Sequence, residues 1–493
     1  MTKSNRYTKR IVLQKIRQRD FDRQNRRSKR QKKKENQYYE PREGLPVPRT
    51  IRRSVIKNPI NSSIGKTNKL SPKKSFYINK YLPPNLKHLV TSKESPFYLE
   101  NIKKQEFKSN GVVAIPKIFS IIEDPENAYL TFKKIISALL IENDRQVTLD
   151  YKQCEKVELG SQVLLDIVLK DFFQFSRLCS KIDRSRKEHF PVTVGGFNIN
   201  NEDVHKMLFS VGSPVTLKVR EENFSDIIKY KLCIHDNEKE TNYDRRIEQK
   251  ELDTTEMADY VIECLSRMNK KLTPEKRDDL CTVIGEILIN AEEHSTTKFR
   301  FSIGYFKEEN IENKHYGIFR LVILNFGQTI YEKFKDESCP NKEIVEKMRN
   351  LSNSYTKRSL FTRKEFEEEN LWTLYALQEE VSSISPSEYK RGNGSIRFIE
   401  SFFNIKGSKE VDDISYLTLQ SGKTRIHFNG KYNIKNKVNS NNDTFKVMTF
   451  NDSGSIEDKP DNKYVYQTKD YFPGTIISAK LLLNDDDLVQ LNN

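Results

Sequence analysis

Residues 284–295 read IGEILINAEEHS. An α-helix turns once every 3.6 residues, so steps of four place Glu286, Asn290 and His294 on one face of a helix. The neighbouring stripe is apolar and consists of Ile284, Ile287, Leu288 and Ala291. An Asn between apolar turns is a poor helix former and contributes little unless its amide has a partner. The pattern predicts a helix with a buried side and a polar edge. Taken alone, the polar edge fits a solvated carboxylate face as well as it fits a functional site.

The charge of this chain is unevenly distributed along its 493 residues. Residues 1–110 hold 30 Lys and Arg against 8 Asp and Glu, a net charge of +22, whereas the remaining residues hold 55 against 61, a net charge of −6. The length predicts two or three domains with cores of their own. We therefore expect a mildly acidic globular body and a strongly basic N-terminal segment.

Several features of the sequence indicate a cytoplasmic protein. No apolar run approaches the roughly 18–20 residues of a membrane span, so we expect no membrane association. The N-terminus has no apolar segment of the signal-peptide type. The six cysteines are scattered without a CxxC pair, which is typical of reduced thiols rather than of disulfides or zinc sites.

Residues 1–109 are predicted to form a basic, largely extended arm and linker. Residues 9–37 favour a cationic helix with a short apolar stripe, and the aperiodic Pro, Ser and Lys residues that follow predict a linker to about residue 108. Clustered cations neutralise phosphates and release counterions, and arginine-rich segments often fold on RNA. We expect RNA or DNA to bind residues 1–110, although a solvated tail or an acidic protein partner remains an alternative. The side chains proposed to contact phosphates are Arg17, Arg19, Arg23, Arg26, Arg27, Lys29, Arg30, Lys32, Lys33 and Lys34.

Residues 110–240 predict a small α/β unit, because segments with strand and helix periodicity alternate. One of the expected strands is SPVTLKV at 213–219. Residues 147–168, VTLDYKQCEKVELGSQVLLDIV, resemble the STAS domains of anti-anti-sigma factors, in which a strand with an acidic end leads into a helix. The resemblance implies a unit that docks a protein partner. The phosphorylatable Ser of that family does not align cleanly, so Ser161 is predicted to be a helix N-cap.

Residues 286–294, EILINAEEH, match the E-x-x-x-N-A-x-x-H signature of the GHKL ATPases and look most like the anti-sigma and histidine kinases among them. The resemblance implies an α/β (α+β) class with a Bergerat-type mixed sheet and helices on one face over residues 250–493. It also implies ATP and Mg²⁺ as cofactors, with Asn290 as the metal ligand and Glu286 as the base. Mg²⁺ takes oxygen ligands and contacts phosphates, and a carboxylate one turn away can accept a proton.

The motif that follows the signature helix in this family is D-x-G-x-G. Here a strand FRLVIL runs into Asn325-Phe326-Gly327-Gln328-Thr329. Asn325 stands where the family has the Asp that binds the adenine amino group, and Thr329 replaces the second Gly. An Asn can still accept that amino hydrogen, but it lacks the charge that strengthens the bond. The departure implies weaker nucleotide binding, relaxed adenine selectivity or a degenerate site.

Two later segments extend the resemblance. YKRGNGSIRF places Gly392 and Gly394 at the start of a helix, where backbone N–H groups can bind phosphate. FPGTIISAKLLL resembles the strand that closes the nucleotide pocket of the family, with Gly474 and Thr475. Between the motifs, a long lid is expected, with a helix that packs Leu371, Trp372, Leu374, Tyr375 and Leu377 into the core. Residues 415–432 predict two strands joined at Ser421-Gly422.

The predicted function is that of an ATP/Mg-binding regulatory protein with a nucleic-acid-binding arm, in which nucleotide acts as a conformational switch. The setting would be bacterial signalling or phage defence. Two alternatives remain: a serine/threonine protein kinase of anti-sigma type with Glu286 as base, and a non-catalytic nucleic-acid-binding scaffold with a degenerate pocket. The chain ends soon after Thr475, so a clamp ATPase with a further catalytic domain is not expected. Whether ATP is hydrolysed, and whether the chain forms a homodimer, stays open.

Overall fold

The computed structural model describes residues 70, 72–103, 105–182, 190–218, 224, 226–236, 243–293, 299–311, 314–356, 366–379, 381, 394–406, 414–438, 442, 444–483 and 488–490. The cations from Arg17 to Lys34 that were predicted to bind nucleic acid lie outside these residues, as do Gly392 and His294. Asn290 lies in a described helix, but its side chain is outside what the structure describes.

The described residues between 72 and 107 contain several short helices. They comprise α1 (Pro72–Tyr81), α2 (Pro84–Thr91), α3 (Leu99–Ile102) and the 3₁₀ turn Gln105–Phe107. Leu86 of α2 is fully buried, and its N–H donates to the Asp171 carboxylate over 2.9 Å. The expected extended linker is therefore wrong for this stretch, because short helices broken by Pro83 and Pro84 bury apolar residues that show no long periodicity.

The predicted α/β unit follows. Its strands are β1 (Val112–Ala114), β2 (Ile118–Phe119), β3 (Gln146–Asp150), β4 (Lys156–Val157) and β5 (Thr193–Phe197). Its helices are α4 (Pro125–Ile136), which continues into a π-helical turn Ser137–Ile141, α5 (Leu159–Ile182) and α6 (Glu202–Ser210). Among the described strands, β1, β3 and β5 form a parallel sheet in that order, and β2 pairs with β4 in parallel. This alternation confirms the α/β character of the segment.

Two details of this unit differ from the sequence prediction. The segment predicted as a strand at 213–219 instead contains the 3₁₀ helix Pro214–Lys218, because Pro214 lacks an N–H for a ladder and the Ser213 hydroxyl accepts the Val215 N–H. Ser161 is not the N-cap of α5. The carboxylate of Glu158 accepts the N–H groups of Gly160 and Ser161, so the residue before the helix caps it.

The remaining helices and strands include a second, larger sheet. The helices are α7 (Tyr243–Arg267), α8 (Pro274–Glu293), α9 (Ile330–Lys335), α10 (Lys342–Thr356), α11 (Glu368–Tyr375) and α12 (Gly394–Lys406). The strands are β6 (Cys233–Asp236), β7 (Lys270–Leu272), β8 (Phe299–Ile311), β9 (Lys314–Phe326), β10 (Tyr416–Phe428), β11 (Lys435–Val438), β12 (Thr444–Val447), β13 (Val465–Leu483) and β14 (Leu488–Gln490). The described sheet order is β10-β13-β9-β8-β6, with β11–β12 and β7–β14 as separate pairs.

The large sheet is antiparallel at every described pairing, rather than mixed as expected. Helices α7, α8 and α12 pack on one face, and α5 of the first unit packs on β9 and β13 from the other. Strand β6 precedes the predicted boundary near residue 240, yet it pairs with β8. Residues 67–493 accordingly form one compact unit.

Strand β10 replaces the two strands predicted around Ser421-Gly422. Its register with β13 shifts on both sides of Gly422, whose φ is 59°, so a bulge stands where a turn was expected. The apolar residues predicted on α11 and just after it are buried, as expected of core packing. Within the described part of the chain, no helix is long and apolar enough to cross a membrane.

Candidate nucleotide pocket and basic face

Helix α8 carries the signature that opened the sequence analysis. Its predicted apolar stripe is buried, with Ile284, Ile287 and Leu288 fully inaccessible. On the polar edge, the Glu286 side chain is 14% exposed and its Oε1 lies 3.1 Å from Nη1 of Arg397 on α12. Arg397, whose side chain is 59% exposed, was not identified from the sequence. Its position three residues after Gly394, in the first turn of α12, was the available signal.

A narrow, mostly apolar pocket lies between α8, α12 and the sheet. The cavity itself has a volume of about 20 Å³, within about 400 Å³ of empty space that includes open solvent at its mouth. The lining residues are Ala291, Ile323, Asn325, Ile330, Ala376, Leu377, Ser395, Phe398, Leu419, Thr475 and Ile477. The structure thus brings two predicted site residues, Asn325 and Thr475, together with the end of α8 and the start of α12.

Asn325 is one of the polar residues that line this pocket, and it is 0% exposed. Its Nδ2 donates to the carbonyl oxygen of Ala291 over 2.8 Å. Ala291 lies in the last turn of α8, where carbonyls lack partners within the helix, so the amide caps the helix C-terminus. A carbonyl can only accept, which fixes the amide orientation and directs Oδ1 elsewhere. Within the described part of the chain, that Oδ1 has no hydrogen-bond partner.

Two glycines of the predicted motifs hold β9 and β13 together at the pocket. Gly474 has φ +145°, and a Cβ built on it would lie 2.1 Å from the carbonyl oxygen of Asn325, so only glycine fits. The N–H of Gly327 donates to the carbonyl oxygen of Pro473 over 3.2 Å. These contacts set Thr475 opposite Asn325 in the strand register. The two glycines therefore allow close contact between the strands that carry Asn325 and Thr475.

Hydroxyl groups complete this end of the site. The Thr475 hydroxyl lies 2.8 Å from the hydroxyl of Ser421, which also accepts the N–H of Ile330 over 2.9 Å. Ser421 was expected only in a turn, and its place beside Thr475 follows from the regular register of β10 with β13 up to the bulge. Thr329, which departs from the family pattern, caps α9 through a capping box with Glu332. The Thr329 hydroxyl therefore has a structural role as the helix cap.

Mg²⁺ was expected on Asn290. The described residues contain no group of three or more His, Cys, Asp or Glu that could hold a metal ion. Mg²⁺ bound by phosphates, water and one protein oxygen does not need such a group. Asn290 follows Glu286 by one turn of α8, so its place on the helix is compatible with the expected role.

A second candidate site is a basic face on α5. Lys170, Arg177 and Lys181 follow one helix face at steps of seven and four, and Lys231 lies across the same groove, whose empty volume is about 1530 Å³. All four are exposed, and none of their side chains has a hydrogen-bond or ion-pair partner among the described residues. The groove is lined by one carboxylate that the structure describes, Asp166, which accepts hydrogen bonds from buried neighbours. Such a face attracts polyanions.

Comparison of the chain with family models, with curated proteins and with solved structures gives no significant match. The GHKL and STAS-like expectations therefore rest on the motifs in the sequence and on the geometry described above.

Proposed function

We propose that this chain is a nucleotide-binding regulatory protein whose pocket receives the adenine of ATP, with the nucleotide acting as a conformational switch. The observation that carries the proposal is the unpartnered Oδ1 of Asn325 in a narrow apolar pocket of the described structure. An unsatisfied buried acceptor costs about 1–3 kcal/mol. Adenine is flat and largely apolar, and its exocyclic amino group supplies the missing donor.

The order of elements supports a GHKL-type domain of the Bergerat class. The signature helix α8 is followed by the hairpin β8–β9, which carries Asn325 next to its last residue, and then by α12 and β13. In such a domain Asn290 would hold Mg²⁺, and backbone N–H groups around Gly392 and Gly394 would hold the phosphates at the N-terminus of α12. Mg²⁺, when bound, neutralises charge on the phosphates.

Glu286 is the residue proposed to orient water or an attacking hydroxyl. Its ion pair with Arg397 ties the carboxylate to the first turn of α12, next to the proposed phosphate site. A phosphate bound at this helix end offers Arg397 a second anionic partner. We infer that nucleotide binding redistributes Arg397 and so releases Glu286, which would couple the chemistry to occupancy of the site.

Calorimetry with ATP and with inosine triphosphate, in the presence of Mg²⁺, tests the pocket. Inosine carries a carbonyl in place of the amino group, so it leaves Oδ1 of Asn325 unsatisfied. The full chain is required, because β6 completes the sheet from outside residues 250–493. We expect ATP to bind roughly 5–30-fold more tightly than inosine triphosphate, equivalent to about 1–2 kcal/mol.

Two variants sharpen this experiment. Asn325→Leu removes the acceptor and should abolish the preference for ATP, whereas Asn350→Leu, a matched change at an exposed position of α10, should leave it intact. No heat with millimolar ATP and an unchanged melting temperature would eliminate the nucleotide proposal and favour the scaffold. Equal affinities for both nucleotides in the wild type would remove the role assigned to Asn325.

We also propose that nucleic acid binds residues 1–110 and the basic face of α5. Deleting residues 1–40 removes 15 basic and 4 acidic side chains. If roughly 6–10 phosphates are neutralised, affinity should fall about 10³–10⁵-fold between about 50 and 200 mM salt. Gel-shift titrations of RNA and DNA should show much weaker binding by the truncated chain. The binding that this chain retains should be lost when Arg177→Gln and Lys181→Gln are added to it. Equal affinity of full-length and truncated chains, or a flat salt response, would contradict the proposal.

A further inference from the structure

A second cavity lies behind the nucleotide pocket, on the reverse face of the same two strands. Side chains alternate along a strand, so Asn325 of β9 and Thr475 of β13 face one side while Arg320 and Lys480 face the other. The reverse cavity has an empty volume of about 1310 Å³. Residues of the first α/β unit, among them Met207, form its opposite wall, so the cavity occupies the junction between that unit and the large sheet.

Two cations face each other across the strands in this cavity. Arg320 and Lys480 are Cα partners in the antiparallel register of β9 and β13. Like charges placed directly opposite destabilise a sheet. Burial lowers the pKa of Lys480 from its ordinary value, and the Arg320 charge lowers it further. The Glu309 and Glu123 carboxylates act against this lowering from a distance, but among the residues that the structure describes the Lys480 ammonium has no hydrogen-bond or ion-pair partner.

Two more hydrogen-bond donors at this place lack partners. Ser478 lines the cavity two residues before Lys480, on the same face of β13, and it is 6% exposed. In the described structure its Oγ has no partner, and neither does Nη1 of Arg320. Nη2 of Arg320 reaches Glu309, but only over 3.4 Å. Guanidinium, ammonium and hydroxyl groups that converge in this way are the donors that bind phosphate and carboxylate groups.

The carboxylates of the cavity wall are already engaged. The ion pairs of the wall are Glu123–Lys156 at 2.7 Å, Glu155–Lys117 at 3.2 Å, Asp203–Lys307 at 2.8 Å and Glu309–Lys307 at 3.5 Å. Glu158 accepts the N–H groups at the start of α5. Each described carboxylate of the wall therefore has a partner other than Lys480. Arg320 and Ser478 keep buried polar atoms without a partner among the described residues, next to the Lys480 ammonium.

We propose that this cavity binds a small ligand through an oxyanion, a phosphate or carboxylate group, held by Arg320, Ser478 and Lys480. The bound anion would neutralise the opposed cations and fill the junction between the first α/β unit and the sheet. Because the same strands present Asn325 and Thr475 on their other face, such a ligand is placed to act on the nucleotide pocket. The site itself does not depend on the nucleotide proposal.

Thermal melting of the full chain without nucleotide, in a phosphate-free buffer of low ionic strength, tests the site. Inorganic phosphate, acetate and chloride are titrated at matched ionic strength. A ligand that binds only the native state raises the melting temperature with its concentration. We expect phosphate or acetate to raise it beyond chloride in the wild type, and the larger response identifies the head group. Without added anion, Lys480→Gln should melt at or above the wild type, because the charge repulsion is gone.

The variants decide where the anion binds. Lys480→Gln should weaken the apparent anion affinity at least about tenfold, and Ser478→Ala, a smaller change, should weaken it severalfold. Lys347→Gln, at an exposed position of α10, should respond like the wild type. An equal response of wild type, Lys480→Gln and Ser478→Ala would overturn the proposal, as would a wild-type response no larger than that to chloride. A low melting temperature of Lys480→Gln without anion would also overturn it, since Lys480 would then be structural.

Discussion

The replacement Asn325→Asp probes a buried polar group of the pocket that we propose for a nucleotide. In the wild type, Nδ2 of Asn325 donates to the carbonyl oxygen of Ala291 over 2.8 Å at a fully buried position. The substitution keeps the side-chain size but sets an oxygen in place of that nitrogen. Two acceptors then face each other at the negative end of the dipole of α8. Only a protonated carboxyl in the variant, donating its O–H to the carbonyl oxygen of Ala291, restores the bond.

The free-energy cost of holding the new carboxyl protonated depends on pH. An Asp in an unfolded chain has a pKa of about 3.9, and each pH unit above that value is worth about 1.4 kcal/mol, so the cost is about 1.5 kcal/mol near pH 5 and about 4 kcal/mol near pH 7. The ionised alternative strands two buried acceptors and buries an unpaired charge, which costs more than protonation over this pH range. The native variant binds more protons than its unfolded state, so its stability falls as the pH rises.

Urea denaturation of the wild type, Asn325→Asp and Asn325→Leu at several pH values between about 5 and 8 measures this effect. The gap in unfolding free energy between wild type and Asn325→Asp should widen by roughly 1.4 kcal/mol per pH unit. Asn325→Leu has no titratable group, so its gap should stay constant. If the gap in unfolding free energy between wild type and Asn325→Asp did not change with pH, the reasoning would be refuted. The Asn325 amide would then not cap α8 at a site closed to water.

Glu286→Gln should abolish any ATP turnover and leave ATP affinity nearly unchanged, because a base acts in the transition state; equal losses in turnover assays and calorimetry would make Glu286 structural. Arg397→Gln should change the unfolding free energy by less than about 1 kcal/mol, because its ion pair is solvent-exposed on the arginine side, and a larger loss in urea denaturation would contradict this. Burial raises the pKa of Asp166 to about 7, so this carboxyl should contribute stability that is lost as the pH rises from about 4 to 7. Asp166→Asn can still accept from Gln162 and Ser213 and should remove that part of the slope in urea midpoints, whereas an unchanged slope would show that Asp166 ionises normally.

Local periodicity predicted the elements that bury one regular stripe. Helix α8 is the clearest case, because Ile284, Ile287 and Leu288 repeat at helical spacing and all three are buried. Strand β9 was likewise visible as an apolar run that ends at a polar motif. Asn325 of β9 and Thr475 of β13 line the same pocket. Their role in nucleotide binding remains a prediction.

The misses arise where contacts distant in sequence decide the local structure. Arg425 of β10 is buried and donates to the carbonyl oxygens of Ile121 and Ile122, some 300 residues away, so this strand continues through the place where a turn was expected. Lys74 is likewise 2% exposed, with its ammonium on the carbonyl oxygen of Ile141. A Lys in a basic segment and an Arg beside a Ser-Gly pair look solvated in sequence, because the partners that bury them are not local.

The two proposed ligands share the strands β9 and β13, and this arrangement leads to a quantitative prediction. Gly474 packs so tightly on the Asn325 backbone that β13 cannot shift on β9 at this point without disturbing the pocket. If an oxyanion between Arg320 and Lys480 changes ATP affinity by some factor, ATP must change oxyanion affinity by the same factor, because binding free energies are reciprocally linked. Calorimetric titration of each ligand at saturating levels of the other measures both factors, and Lys480→Gln should bring both to one. Phosphate could instead compete directly with ATP in the nucleotide pocket. It would then lower the ATP affinity of the wild type and of Lys480→Gln equally. That result would show that the two faces are not coupled.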